Sequence, residues 1–134
     1  MCPCQLYLHH SHNLAFSFRD DDGNYLEPFE VDIVVSAAVN AGVARRKSSE
    51  KDIEVAMRER MGRILYLCES QGAKDLVLGS FGTGVFRNKV EAVARIWREL
   101  LLDDGARFKQ SFENVVFAIL GTETFKVFKE TFEI

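Results

Sequence analysis

This chain lacks the means for a disulfide framework, because its cysteines number only three and are odd in count. No apolar run approaches the ~18 residues that cross a bilayer, so no membrane association is expected. The first residues, Met1-Cys2-Pro3-Cys4-Gln5, lack the basic start and apolar stretch of a signal peptide. Nor is there an excess of positive charge. The net charge is −3, which gives no electrostatic reason for a nucleic-acid partner. These absences lead to the expectation of an intracellular protein, cytoplasmic or nuclear. Only one tryptophan and three tyrosines are present, against eleven phenylalanines, so the core should be filled largely by phenyl rings. With 134 residues, 47% of them hydrophobic, the chain reads as one domain over 1–134. A domain of this size buries roughly two-thirds of its unfolded surface and needs no metal to fold.

Two clusters invite a metal and then argue against one. Cys2, Cys4, His9, His10 and His12 offer five zinc ligands, but without the separated pairs of a finger or ribbon. Residues 1–12 are expected instead to be a mobile or strand-paired terminus. Asp20-Asp21-Asp22-Gly23-Asn24 lacks EF-hand spacing and its closing glutamate, and reads as a solvated turn. Cys68 falls on an apolar helical stripe and reads as a small buried hydrophobe. No cofactor is expected.

Periodicity gives an alternation of strands and helices. Leu6–Leu8 and Leu14–Phe18 read as strands, and Val31–Val39 as a strand buried on both faces of a sheet. Ser49 caps a long helix with Asp52 as its capping-box partner and Gly72 beyond its end. Ile53, Met57, Ile64 and Cys68 form its apolar stripe, and Arg58, Glu59, Arg60, Glu69 and Gln71 its solvated face. Asp75–Leu78 is a second buried strand. Asn88 reads as the N-cap of a helix striped by Val90, Val93, Ala94, Trp97, Leu100 and Leu101. Asn114–Leu120 is a third buried strand, followed by a helix carrying Phe125, Phe128 and Phe132 on its core face. The fold class implied is α/β, a mixed sheet with helices on both faces.

The segment with chemistry is Gly79-Ser80-Phe81-Gly82-Thr83-Gly84-Val85-Phe86, between a strand end and a helix start. Ligands of open α/β sheets bind beyond the C-terminal ends of strands. Gly79, Gly82 and Gly84 remove Cβ atoms, so backbone N–H groups can converge on an anion. The following helix adds the positive end of its dipole. Thr83 can donate a hydroxyl hydrogen bond, and Phe86 can stack on a sugar or base. A Walker loop is excluded, because Val85-Phe86 stands where Lys-Ser/Thr is needed. The glycine order is not that of a Rossmann turn either. On the residues alone, phosphate binding and a plain glycine turn remain equally open.

Leu76–Asn88 closely resembles the second phosphate loop of microbial-type poly(ADP-ribose) glycohydrolases, which are macrodomains. The similarity extends, in consistent order, to Phe18–Gly23, Val39-Asn40-Ala41-Gly42 and Val115–Ile119. It implies a macrodomain-like fold matching the second half of that family. It also implies that Gly79, Ser80, Phe81, Gly82, Thr83, Gly84, Val85 and Phe86 wrap the diphosphate of ADP-ribose. Phe86 would pack on the distal ribose, and Asn40 would edge the cleft. The partner implied is ADP-ribose or an ADP-ribosylated protein.

The family's catalytic segment, a Gly-Gly-Gly loop followed by Gln-Glu-Glu, has no counterpart. The sequence contains neither a Gly-Gly nor a Gln-Glu dipeptide. Glu27, Glu30 and Asp32 show no spacing that marks an acid–base pair, so no catalytic residue is assigned. The resemblance further implies that a central strand, between those at Val31–Ser36 and Leu76–Leu78, is missing. Direct pairing of the flanking strands is the expected closure; a second chain filling the gap, or a truncated longer protein, are the alternatives. Three functions stay open: an ADP-ribose binder without catalysis, a hydrolase completed by another chain or segment, and a non-binding protein that associates, even with itself, through an exposed sheet edge.

Overall fold

A computed structural model describes residues 8–16 in backbone outline and residues 18–133 in full. Cys2, Cys4, Leu6 and Tyr7 lie outside the described residues. The element order is β1 (Leu8–Phe16), β2 (Phe29–Ser36), α1 (Ala41–Ala44), α2 (Glu50–Ser70), β3 (Asp75–Leu78), α3 (Val90–Leu101), β4 (Asn114–Phe117) and α4 (Thr122–Phe132). The chain is thus mixed α/β, as its alternation implies. It divides into two compact units, Met1–Ala37 and Ala38–Ile134.

In the first unit β1 and β2 pair antiparallel, from Leu8 opposite Ser36 to Phe16 opposite Phe29, with an irregularity between Ser11 and Leu14. The turn before β2 is organised by Asp20. Its carboxylate accepts from the backbone N–H groups of Asp22 (3.0 Å) and Asn24 (2.8 Å) and from Asn24 Nδ2 (3.1 Å). Those bonds, the Asn24 side chain first, hold the Asp20 carboxyl below its ordinary range. Gly23 supplies the positive φ of 85° that the turn needs. The expected strand over 31–39 is corrected: β2 ends at Ser36, and several of its side chains are exposed.

The second unit holds the main core. Ser49 Oγ accepts from Asp52 N (3.2 Å) while the Asp52 carboxylate accepts from Ser49 N (3.1 Å), completing the capping box at the start of α2. At the other end, Gly72 takes φ 75° and Ala73 N donates to Cys68 O at 3.0 Å. Arg60, expected on the solvated face, is instead buried beside Met57, Met61 and Ile64 on the stripe of α2. The ring of Trp97, on α3, lies 6.4 Å from Phe81 and 6.2 Å from Phe117. Phe117 in turn lies 5.5 Å from Phe128 and 4.9 Å from Phe132. Trp97 and Phe128 are buried and the other three rings partly so; full burial of a large apolar side chain contributes about 1.5–3 kcal/mol. Phe125 does not join them: it is 53% exposed, although its spacing puts it on the same face of α4 as Phe128 and Phe132.

β3 and β4 pair in parallel, Asp75 with Asn114 through Leu78 with Phe117. Among the described residues the ladders are two pairs, β1 with β2 and β3 with β4. The expected direct pairing of the strands at Val31–Ser36 and Leu76–Leu78 is not one of them. The expectation that β3 and β4 are buried on both faces also fails, since Val77 is 76% and Val116 56% exposed. Strand alternation places Leu76, Leu78, Val115 and Phe117 on the packed face and these two valines on the other.

Glu69 fastens α2 to the loop before β4, accepting from Arg107 (2.7 and 3.0 Å) and from Ser111. Arg107, then Ser111, hold its carboxyl below the ordinary glutamate range. A depressed folded value means that this stabilisation is present above the unfolded value and is lost as pH falls through the folded one. The stability difference between wild type and Arg107→Gln should therefore be small but measurable at pH 7 and shrink on acidification below the unfolded glutamate value of about 4.3. Chemical denaturation across that range checks it; a difference unchanged at low pH would contradict the assignment.

Candidate functional site

The glycine loop leaves the C-terminal end of β3 at Gly79 and enters α3 at Val90, as the sequence placed it. Its shape depends on two residues with left-handed backbones, Phe81 (φ 38°) and Arg87 (φ 56°), and on Gly82 (φ 76°). Only Gly82 is sterically obligatory. A Cβ there would sit 2.4 Å from the Ala38 Cβ and 2.8 Å from Asn88 Nδ2. A Cβ at Gly84 would meet nothing within 4 Å, and one at Gly79 would come no nearer than 4.0 Å to any neighbour. The fold therefore leaves open space above Gly84, where an anion can approach the backbone closely, whereas a Cβ at Gly79 would touch the Ala118 carbonyl oxygen.

Asn88 is not the N-cap of α3. That position belongs to Lys89, which makes no side-chain cap bond. Asn88 turns inward instead and is buried; its Nδ2 donates to Val39 O (2.8 Å) and Gly82 O (2.9 Å). Asn88 N donates to Gly82 O as well, at 3.1 Å. One side chain thus ties both ends of the glycine turn to the segment before α1. The uncapped N–H groups in the first turn of α3 remain available, at the positive end of the helix.

The other expected site residues take distinct places. Thr83 Oγ1 donates to Ser80 Oγ at 2.9 Å, bridging the turn. The Phe81 ring packs against the core beside Trp97, so its part in the loop is played by its backbone. Val85 is 91% exposed, whereas Phe86 is half-buried against the core. Asn40 caps α1, its Oδ1 accepting from Val43 N at 3.2 Å, and Gly42 N donates to Phe86 O at 3.2 Å. Asn40 and residues 79–86 are therefore brought together. Glu50 steadies the same corner, bound by Arg45 and by Lys89 (3.3 Å), and its carboxyl lies below the ordinary range chiefly through Arg45.

Sequence reasoning missed two participants, the Asn88 clamp and Arg87. The stem of Arg87 runs close over Gly42, whose added Cβ would lie 3.4 Å from the Arg87 Cδ. Its φ of 56° is a conformation that costs an ordinary residue about 1–2 kcal/mol. A helix-start pattern hides both, because Asn88 reads equally as a cap. A groove of about 620 Å³ elsewhere on α3 is lined by Glu54, Arg95, Arg98, Glu99 and Asp103 among others, but by none of residues 79–86. Its arginines are engaged by its own anions, Arg95 with Glu54 (2.6 Å) and Glu99 (3.1 Å), Arg98 with Asp103 (2.9 Å), while Lys89 pairs with Glu50 (3.3 Å). It is a solvated ion-pair surface. Among the described residues no cluster of three metal-ligating side chains occurs, and no helix is long and apolar enough to cross a membrane.

No protein-family model and no curated protein sequence matches the chain. Solved structures do. The poly(ADP-ribose) glycohydrolase of Deinococcus radiodurans in complex with ADP-ribose is 36% identical, with a TM-score of 0.78 over 91% of this chain and 50% of that one. The poly(ADP-ribose) glycohydrolase of Thermomonospora curvata is 34% identical, with a TM-score of 0.84 over 92% of this chain and 46% of that one. A point mutant of the latter enzyme gives 34% and 0.83, over 92% of this chain and 48% of that one. The chain spans about half the length of the enzymes it matches.

Proposed function

We propose that this chain, similar in fold and sequence to the microbial poly(ADP-ribose) glycohydrolases over about half of their length, binds the diphosphate of ADP-ribose through Gly79–Phe86. The observation that carries this is the open space above Gly84 on a loop clamped from behind by Asn88. Backbone N–H groups fixed beforehand bind an anion without an ordering cost at the moment of binding. The Arg87 cation and the N-terminus of α3 add favourable charge. Asn40 borders the loop, and the half-buried Phe86 offers a ring edge to a sugar. The ligand is free ADP-ribose or the same group on a modified protein. With neither a Gly-Gly nor a Gln-Glu dipeptide in the sequence, the proposal is binding without cleavage by this chain.

Titration calorimetry with ADP-ribose tests this. Wild type should bind saturably, and Gly84→Ala should weaken binding at least tenfold while leaving the melting temperature unchanged. Absence of heat with wild type would sink the proposal. A second variant separates binding from folding by opposite signs. Arg87→Gly relieves the left-handed backbone and should stabilise the fold by about 1 kcal/mol, yet weaken ADP-ribose several-fold. Equal affinity in Arg87→Gly would remove that arginine from the site.

A further inference from the structure

We propose that Arg46, Lys47 and Arg87 form a docking rim, beside the glycine loop, for an acidic segment of another polypeptide. All three residues are exposed. They come from two stretches, the turn after α1 and the residue before Asn88, which the fold holds together. Gly42 N donates to Phe86 O at 3.2 Å, and a Cβ on Gly42 would lie 3.4 Å from the Arg87 Cδ. Arg45 and Lys89 meet on one carboxylate, that of Glu50, the lysine at 3.3 Å. Glu50 therefore neutralises only those two. Among the described residues, Arg46, Lys47 and Arg87 are left with no ion pair and no side-chain hydrogen bond. On a chain of net charge −3 such a corner is a local reversal of sign, which draws anionic partners to one place.

The nature of the occupant follows from what the rim offers. Guanidinium groups bind carboxylates through paired N–H donors, and a run of carboxylates engages several cations at once. Residues 41–52 and 87–91 include no aromatic side chain. A nucleotide polymer finds no ring there on which to stack its bases, and stacking is a principal part of single-strand binding. A carboxylate-rich peptide needs no such platform. One exposed ion pair contributes little, so the rim acts through several pairs together and its binding is salt-dependent. Taken with the ADP-ribose reading, on which this one step rests, the acidic segment flanks a modified residue. The ligand is then the group on a protein rather than the free nucleotide.

The test is titration of the chain with a decaglutamate peptide, without ADP-ribose, so that its outcome is independent of the loop's ligand. Saturable binding is expected at low ionic strength, weakened at least tenfold at about 0.5 M salt. The double variant Arg46→Glu, Lys47→Glu should reduce it at least tenfold at an unchanged melting temperature, because both side chains are exposed. No binding by wild type, or equal binding by the double variant, would overturn the proposal. So would polyadenylate that binds more tightly than the peptide through the same two residues, or self-association of the chain that the double variant abolishes. A wild type that binds the peptide but not ADP-ribose would uphold the rim and strike only the modified-protein step.

Discussion

Asn88→Asp should lower the stability of the second unit by about 3–5 kcal/mol at pH 7. The substitution is nearly isosteric, so packing does not change. What changes is the hydrogen-bond inventory. Nδ2 donates to two carbonyls, Val39 O and Gly82 O, and a carboxylate has nothing to donate to either. The side chain is only 6% exposed, so solvent cannot repair the loss. The introduced carboxyl should titrate above its unfolded value of about 3.9. For an acid raised in the folded state, the deficit is complete above the folded value and shrinks as pH falls toward the unfolded one. The variant should therefore recover part of its stability near pH 4, where a protonated carboxyl regains one donor. Chemical denaturation at pH 7 and pH 4 reads both effects, and a loss under about 1 kcal/mol at pH 7 would contradict the clamp.

Gly82→Ala should cost about 3 kcal/mol and lower the melting temperature by roughly 10 °C. Two penalties combine. A φ of 76° is strained for any residue with a Cβ, and the new methyl would lie 2.4 Å from the Ala38 Cβ, in a contact neither side can relax cheaply. Removing the opposing methyl should restore part of the loss, so Ala38→Gly in the Gly82→Ala background should be more stable than Gly82→Ala alone. Gly84→Ala, by contrast, should be thermally silent. Three glycines that look equivalent in the sequence thus separate into one required by the fold and two that the fold does not require.

That separation marks how far the sequence could be read. The position of the loop was legible, because Asp75–Leu78 is a short apolar run with a glycine cluster at its end and a helical stripe beyond. The bounds of α2 were legible too, since a capping box and a terminal glycine are local signals. The roles of Asn88 and Arg60 were not. Asn88 satisfies the local rule for an N-cap, yet a contact 49 residues away with Val39 O takes its side chain inward. Arg60 follows the charge rule for a surface, but it is buried with the apolar stripe of α2. The valines of β3 and β4 promised burial on both faces, but among the described residues Val77 and Val116 stay exposed. Local patterns record what a segment prefers; these departures were set by residues distant in sequence.

The loop assignment is tested most directly by following backbone amide resonances during titration with ADP-ribose. The amides of Gly79, Gly82, Thr83 and Gly84 should shift progressively to saturation, and inorganic pyrophosphate should move the same set with lower affinity. Amides of the β1–β2 pair should stay in place. Shifts confined to the charged groove of α3 around Arg95 and Arg98, or no shift at residues 79–86, would show that this loop is not the diphosphate site.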